Sequence, residues 1–476
     1  MNRTRPFLTL LLAVLLSLAS YGESRKVHIL SMNDMHAAID AFPQLAAIVD
    51  SLRALDPGLL VLSAGDNRTG NPVNDLYEIP AYPMVALMNQ VGFHATALGN
   101  HEFDSHQDGL ARLIGLSTFR YLCANIHPDE SLGISTVPYQ VFDVGGLKIG
   151  IIGVVQLGTH GIPDTHPNNV TGISFTPPEE EIAKYEWLSK ECDATILLSH
   201  IGYDGDVVVS KAFPWLDLIV GGHSHTQIKG GEMHNGVLIT QDANKLKKVT
   251  YITLTIEDGK VTEKTAENID VASFPRKNKI VENMVEFFKN NPEFYRVLAQ
   301  ADTPFSTYDE LGCLMCDAMV AETGADVAFV NAGGIRYEEH PAGDFTVDDV
   351  LRLDPFGNTA VEFELTGEEL RQMLMACHQA DDNQFPCVAG VKCKLKTVGG
   401  DARKLKDVAL FTPDGKKLNL KKSYRVVTNS YAAVVSDSPK KDPGRDLNRQ
   451  TSDMIMRYLE KQGHVSYQGV SRVEKE

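Results

Sequence analysis

Residues 97–104 read ALGNHEFD, which places Asn100, His101, Glu102 and Asp104 directly after a small apolar run. Such groups are costly to bury unless something satisfies them. Four other short apolar runs end in the same residue types. They supply Asp34 and His36 (NDMH), Asp66 (GDN), His200 (SH), and His223 with His225 (GGHSH). Taken singly, each has an ordinary structural reading. D-x-H and G-D-N read as turns, and a lone His after a strand reads as a hydrogen-bonded side chain. Five at once, on one kind of position, point to metal ligation. In an extended segment residues i and i+2 face one side. Asp34 with His36, and His223 with His225, are therefore expected to present paired donors. Carboxylate, imidazole and amide oxygen suit divalent zinc, manganese or iron better than calcium.

Asp34, His36, Asp66, Asn100, His200, His223 and His225 are too many donors for one tetrahedral ion. One carboxylate bridging two divalent ions accommodates them. Two ions held close together stabilise both the attacking and the leaving oxygen of a phosphoryl displacement. His101 is not needed as a ligand. It is free to face a substrate, with Asp104 orienting it as an acid or a charge stabiliser. Glu102 and Phe103 read as structural.

The elements that must hold these residues repeat one theme from residue 26 to about 265. β-Branched or Leu-rich runs (KVHIL, GLLVLS, LKIGIIGVV, ATILLSH, LDLIVGG) alternate with helical patterns such as FPQLAAIVDSLRAL and PPEEEIAKYEWLSK. Alternating strands and helices imply an α/β layered domain, and ligands in such folds bind beyond the carboxyl ends of the strands. This domain is assigned to residues 23–270. Residues 271–300 are polar with a helical stripe and read as a linker helix. Residues 301–476 begin again with a helix (ELGCLMCDAMVAETG) and strands (ADVAFVNAGGIR, TAVEFELTG, SYRVVTNSYAAVV), a second and smaller α+β domain. The lysine-rich KLKK and DGKKLNLKK read as solvated faces or hairpin turns.

Bulk composition bounds the partners. The 476 residues include 45 Lys plus Arg against 62 Asp plus Glu, a net charge of −17. That argues against nucleic acid or an anionic membrane surface as the main partner, but not against a small anionic substrate. Residues 1–22 read as a signal peptide. A basic MNRTR precedes an apolar stretch too short for a comfortable span, with cleavage expected near Gly22. The expectation is an exported protein, periplasmic or extracellular, with no stable membrane insertion after cleavage. Seven cysteines leave at least one unpaired within the chain. Cys387 and Cys393 lie close enough in sequence to bridge, and export would permit it. Cys313 and Cys316 form a C-x-x-C inside an apolar helical pattern, which reads as helix packing rather than redox or zinc chemistry.

With NDMH, GDN, GNHEFD, SH and GGHSH in this order, the chain resembles the 5'-nucleotidase family of dinuclear metallophosphoesterases. The resemblance covers nearly the whole mature chain. It implies a four-layered αββα metallophosphoesterase domain joined by a helix to a C-terminal substrate-binding domain. The active site would lie between them and open by interdomain rotation. It further implies one ion held by Asp34, His36, Asp66 and His225 and another by Asp66, Asn100, His200 and His223. His101 and Asp104 match the family's catalytic pair. In NAGGIR, Asn331, Gly333 and Arg336 match substrate contacts. Phe356 (DPFGN) and Tyr431 (TNSYAAVVSD) match positions that stack on a base, and Asp437 ends that last motif. Arg336 after a Gly-rich turn is by its own chemistry a sound anion clamp.

Three positions depart from the family pattern. Val435 and Ser436 replace a Gly pair, the segment TPFSTYDELGCLMCDAM lacks an expected Arg and carries Cys313 in place of Asn, and Ala37 replaces a Gly. The leading expectation is metal-dependent hydrolysis of nucleoside 5'-monophosphates, with a small-molecule phosphoester as partner. The alternatives are a 2',3'-cyclic nucleotide phosphodiesterase, a UDP-sugar hydrolase or another phosphoester hydrolase of this fold. Less favoured are a thiosulfohydrolase, since nothing in the sequence suggests a carrier-protein substrate, and a non-catalytic binding protein, since every metal and dyad position is filled.

Overall fold

The computed structural model describes residues 24–475 apart from 159 and 382. The expected signal segment lies outside the described residues. The first half carries β1 (Arg25–Met32), β2 (Leu60–Ser63), β3 (Ala95–Ala97), β4 (Arg120–Leu122), β5 (Tyr139–Val144), β6 (Leu147–Val155), β7 (Ala194–His200), β8 (Leu218–Gly221), β9 (Glu232–His234), β10 (Val237–Thr240), β11 (Lys248–Glu257) and β12 (Lys260–Asp270). They form two six-stranded sheets, ordered β12-β11-β1-β2-β3-β4 and β9-β10-β8-β7-β6-β5. Every residue of β2 and β7 is buried. Strands covered on both faces need no polar alternation, which is why they read as continuous apolar runs.

Three apolar clusters separate four layers. Ile29, Leu62, Ile151, Ile196 and Val220 fill the space between the sheets. Leu30, Met32 and Val61 on the outer face of the first sheet pack with Leu45, Ile48 and Val49 of helix α1 (Phe42–Leu55). Ile152, Leu197 and Ile219 pack outward against Ile182, Leu188 and Val209. The order is αββα, as expected. Strands β1 to β4 are mutually parallel, and so are β6, β7 and β8. Their carboxyl ends meet. His200, ending β7, donates from Nδ1 to the carbonyl of Ala64 just past β2 (2.7 Å). The backbone N–H of His223, just past β8, donates to the Asp34 carboxylate beyond β1 (3.0 Å).

The linker helix is shorter than the 271–300 expected. Helix α2 spans Lys279–Phe288, opened by Asn278, whose side chain accepts from Ile280 and Val281 N–H. Its stripe of Val281, Val285 and Phe288 is buried in the first half's core. It is an outer helix of that half, and the chain then crosses to β13 (Val297–Ala301).

The second half contains α3 (Tyr308–Thr323), β14 (Val327–Val330), β15 (Thr359–Thr366), α4 (Gly367–Ala380), β16 (Cys387–Ala389), β17 (Lys392–Val398), β18 (Ser423–Asn429) and β19 (Arg445–Gln450). Its central sheet is ordered β16-β14-β18-β15-β19. Ala328, Val330 and Cys387 on one face pack with α3. Val327, Phe329 and Val388 on the other face pack with α4. The period-2 alternation of a strand puts a helix on each side.

Two expectations about local structure fail for physical reasons. PPEEEIAKYEWLSK breaks into Pro178–Ile182, Ala183–Tyr185 and Leu188–Glu191. Ile182 and Leu188 are both buried in one core, and six residues apart they would face about 120° away from each other on one continuous helix. SYRVVTNSYAAVV is a strand only to Asn429. That side chain accepts from Ala432 N–H and caps a helix at Ser430–Val435. Among the described residues no helix is long and apolar enough to cross a membrane.

The cysteines are all free. Cys387 belongs to the α3 core and Cys393, on β17, to the α4 core, so the two lie on opposite sides of the sheet and do not bridge. Cys313 and Cys316 are buried in the α3 core, which is the packing role expected of them. Thiol titration of the denatured protein should find seven free thiols, and a reductant should leave the melting temperature unchanged.

Candidate metal centre and substrate cavity

The loops beyond β1, β2 and β8 are not extended. Asp34, His36, Asp66, His223 and His225 have φ of 46°, 43°, 51°, 75° and 52°. The paired donors thus arise from left-handed turns, not from the i, i+2 geometry of a strand. Asp, Asn and His enter this region more readily than most residues, yet at a cost of order 1–3 kcal/mol each. Such conformations persist only where the surroundings over-determine them. Two loops hold each other: Asp34 N–H donates to the Gly65 carbonyl (3.0 Å), His36 N–H to that of Asp66 (3.0 Å) and Ala37 N–H to that of Asn67 (2.9 Å). Ala37, where the family carries Gly, sits at φ 53°.

Glu102 is the centre of the second restraint. It is buried, and its carboxylate accepts from the backbone N–H of Asp66 (2.9 Å), Asn67 (2.9 Å) and Gly99 (2.6 Å). The structural role expected of it is met. Gly99 is required by close approach, since a Cβ there would lie 2.1 Å from Asp66 Oδ1. Gly222 is required likewise, with His200 Nδ1 at 2.8 Å from such a Cβ.

These restraints bring the expected donors together. The ligand-type atoms of Asp34, His36 and His225 lie within 4.8 Å of one another, as do those of Asp34, Asp66 and His200. His36 Nε2 faces His225 Nε2 at 2.9 Å, and His225 Nε2 is 3.4 Å from Asp34 Oδ1. His200 Nε2 is 3.2 Å from Asp66 Oδ2. Asn100 Oδ1 faces His223 Nδ1 at 3.0 Å. His101 also approaches, with Nε2 3.9 Å from Asp66 Oδ2. Its Nδ1 is held by Asp104 Oδ2 at 2.8 Å, and Asp104 also accepts from Thr69 Oγ1 (2.7 Å).

The donor set fits divalent cations. His36 Nδ1 faces the Thr69 carbonyl (3.1 Å) and His200 Nδ1 that of Ala64, which leaves each Nε2 lone pair aimed inward. His200 Nε2 is buried with no hydrogen-bond partner. Burial, helped by the Arg336 and His225 charges, drives the His36 pKa well below the usual value and keeps it neutral. Burial opposes ionisation of Asp66, but His200 and His101 still hold it well below the carboxylate range. At His200 burial is outweighed by Asp66 and Asp34, which push its pKa up to about 10. Two buried carboxylates among imidazoles thus call for positive charge, and a divalent ion meets that need without a proton.

Above the centre, a cavity of about 760 Å³ opens between the two halves. Asn331, Gly333, Arg336, Phe356 and Tyr431 from the second half line it. Arg336 Nη2 lies 3.3 Å from both ring nitrogens of His36. Its guanidinium sits over Phe356 (5.5 Å), which stacks on His101 (5.8 Å, 21°). Asp437 is exposed and is not among the lining residues. Tyr308 lines the cavity in the segment that lacks the family's Arg.

Several lining residues escaped the sequence reading, four of them with contacts that shape the site. Asp381, capping α4, accepts from Gly333 N–H (2.8 Å). Asn358 Oδ1 accepts from Tyr431 N–H (3.2 Å). Asn244 Nδ2 lies 3.0 Å from His225 Nδ1. Lys245, expected on a solvated face as part of KLKK, instead points into the cavity, and burial with the Arg336 and Lys247 charges pushes its pKa down to about 8. No local pattern marks Asp381, whereas Asn358 closes the DPFGN motif in which only Phe356 was singled out. For Lys245 the only cue was its place just past the last strand end of the second sheet.

Residues 27–227 match the family model of the calcineurin-like phosphoesterase, and residues 291–438 that of the 5'-nucleotidase C-terminal domain. The chain is 30% identical over 462 residues to protein UshA of Yersinia enterocolitica, covering 83% of this chain and 82% of that one. It is 29% identical over 459 residues to the 5'-nucleotidase of Vibrio cholerae, covering 82% and 80%. The crystal structure of a 5'-nucleotidase precursor from Thermus thermophilus superposes with a TM-score of 0.84 at 25% identity, over 94% of this chain and 99% of that one.

The Glu102 cradle yields a test. Glu102→Ala leaves three buried N–H groups without an acceptor and should destabilise the fold by about 3 kcal/mol or more, read by denaturant unfolding. Glu102→Gln keeps one acceptor oxygen and should cost less.

Proposed function

The chain belongs to the 5'-nucleotidase family, a metal-dependent group of phosphoester hydrolases, and on that premise we propose that it removes the 5'-phosphate from nucleoside monophosphates. The single observation that carries this reading is the meeting of the Asp34–His36–Asp66–His200–His225 donors beneath a cavity that His36, Asp66, His225 and Arg336 line. An aromatic pair, Phe356 and Tyr431, lines the same cavity. Two divalent ions, zinc, manganese or similar, are proposed. Asp34, His36, Asp66 and His225 would hold one, and Asp66, Asn100, His200 and His223 the other. Such ions supply Lewis acidity and a water of lowered pKa.

The remaining chemistry belongs to the chain's own side chains. Asp104 fixes the His101 ring through Nδ1, so Nε2 faces the cavity. There it holds a proton for the leaving oxygen of the ester. Burial would lower the His101 pKa, but Asp66 and Asp104 raise it, which favours the protonated ring. Arg336 presents a planar fork that matches a phosphate edge. Asn331 and Gly333 shape the turn that carries it. Phe356 and Tyr431 offer faces to a planar base, while Phe356 also keeps water from one side of His101. Asn358, bonded to Tyr431 N–H, sets the start of that helix.

Export to a periplasmic or extracellular space is proposed from residues 1–22. A small phosphoester is the proposed partner, and the −17 net charge disfavours nucleic acid. A UDP-sugar or a cyclic nucleotide is the second reading, favoured by the absence of the expected Arg from the segment TPFSTYDELGCLMCDAM, whose Tyr308 lines the cavity.

Phosphate release from AMP, UDP-glucose and an aryl phosphate should be measured with manganese or zinc and again with chelator. Strong preference for AMP, abolished by chelator, is expected. Turnover of the aryl phosphate alone would refute the nucleotide clamp, and no turnover with metal bound would refute hydrolysis. His101→Asn should lower kcat on the order of 100-fold. Asp104→Asn should have a smaller effect, and Arg336→Ala should lower kcat/KM roughly tenfold or more.

A further inference from the structure

Between β10 and β11 the chain makes a turn at Ala243–Leu246 whose backbone is strained. Ala243, Lys245 and Leu246, none of them glycine, have φ of 54°, 54° and 51°. Neighbouring groups impose this. Asn33 binds both sides of the turn, accepting from Asp242 N–H (2.7 Å) and donating to the Ala243 carbonyl (2.8 Å). Leu246 is buried in the first half's outer core. Lys245 N–H donates to the carbonyl of Asp34 (2.8 Å), itself in the metal-donor set. The side chain then crosses to the other half, where Nζ donates to the carbonyl of Arg336 (2.8 Å).

Arg336 is held from three directions. Its N–H donates to the Leu353 carbonyl (3.1 Å), and Asp381 pins Gly333 at the start of the same loop (2.8 Å). Both of these holds come from the second half. Lys245 is a hold from the first half on the backbone of Arg336 itself. Burial and the neighbouring charges of Arg336, Lys247 and Arg352 disfavour an ammonium there, and Glu338 offsets them only in part. Placing it there on a strained turn calls for a return in function.

We propose that Lys245 is a positioning residue: it ties the backbone of Arg336 to the carbonyl of Asp34, so that the anion-binding guanidinium is set over the metal centre when the two halves meet. It acts through Arg336 and does not itself contact the phosphoryl group. The assignment rests on the reading of Arg336 as the anion-binding residue. One consequence is that Lys245 sets the register of the Arg336 backbone against the metal donors, alongside the side-chain contacts of Arg336 with His36 and of Phe356 with His101.

A double-mutant cycle on the full mature chain tests this, with inorganic phosphate as the probe. Binding to the manganese-loaded protein is read by calorimetry and KM for an aryl phosphate by steady-state kinetics. Loss of a charge-assisted hydrogen bond predicts that Lys245→Met weakens phosphate binding about tenfold. Arg336→Ala should weaken it at least as much. If Lys245 works through Arg336, the double variant should be no weaker than Arg336→Ala alone, within about twofold. Lys245→Arg, which keeps charge and donor, should recover most of the affinity, and KM should rise more than kcat falls in Lys245→Met.

Losses that multiply in the double variant would overturn the proposal, because Lys245 would then act independently. Wild-type affinity in Lys245→Met would overturn it as well. So would a Lys245→Arg variant as weak as Lys245→Met with an equal fall in melting temperature, which marks a purely structural role. A wild-type protein that binds phosphate with manganese but does not hydrolyse the aryl phosphate would refute the hydrolase reading alone, and the cycle would still decide the role of Lys245.

Discussion

Two carboxylates, Asp34 and Asp66, lie in the interior where the carboxyl ends of the parallel strands of two mixed sheets meet, and the rest of the site is arranged around that burial. An uncompensated charge there would cost several kcal/mol. Imidazoles surround them, and backbone N–H groups satisfy the lone pairs left over: His223 N–H on Asp34 and His101 N–H on Asp66. Glu102 acts one layer further out. It accepts from the peptide N–H groups that shape the Asp66 turn, so the turn's conformation is set by a buried anion that touches no donor of the cluster through its side chain. The concentration of negative charge is what gives the centre its demand for divalent cations.

Strain and electrostatics work together in this arrangement. Five of the seven donor residues adopt left-handed backbone. The same turns that strain the chain bring Nε2 lone pairs and carboxylate oxygens to a common focus. Rigidity comes from loops that hydrogen-bond to each other across the sheet edge, as between residues 34–37 and 65–67. A donor shell built this way is pre-organised, so binding an ion requires little rearrangement.

The sequence made the first half legible because chemistry and position coincided there. NDMH, GDN, GNHEFD and GGHSH follow apolar runs whose burial on both faces could be read from their lack of alternation, and strand ends in α/β sheets are where ligands go. What escaped was geometry that depends on distant partners. The left-handed conformation of Asp34 or His223 is imposed by the neighbouring loop, so the i, i+2 argument named its donor pairs on the wrong backbone. The split of residues 177–190 lets Ile182 and Leu188 reach the same core, which a continuous helix would not. Cys387 and Cys393 are near in sequence, yet the sheet lies between them. Lys245 and Asp381 lack a local signature because their role is defined by the loop they contact in another part of the chain.

The two halves contribute different things to one cavity. Metal donors and the His101–Asp104 pair come from the strand ends of the first, whereas Arg336, Phe356, Tyr431 and Asp381 come from loops of the second. On the proposed reading, bond-breaking is thus separated from the choice of what is cleaved. Mutations in residues 331–336 and 354–358 or at Asp381 would then change which leaving group is accepted without disturbing a donor atom, so that substrate range and bond-breaking could vary independently in this scaffold.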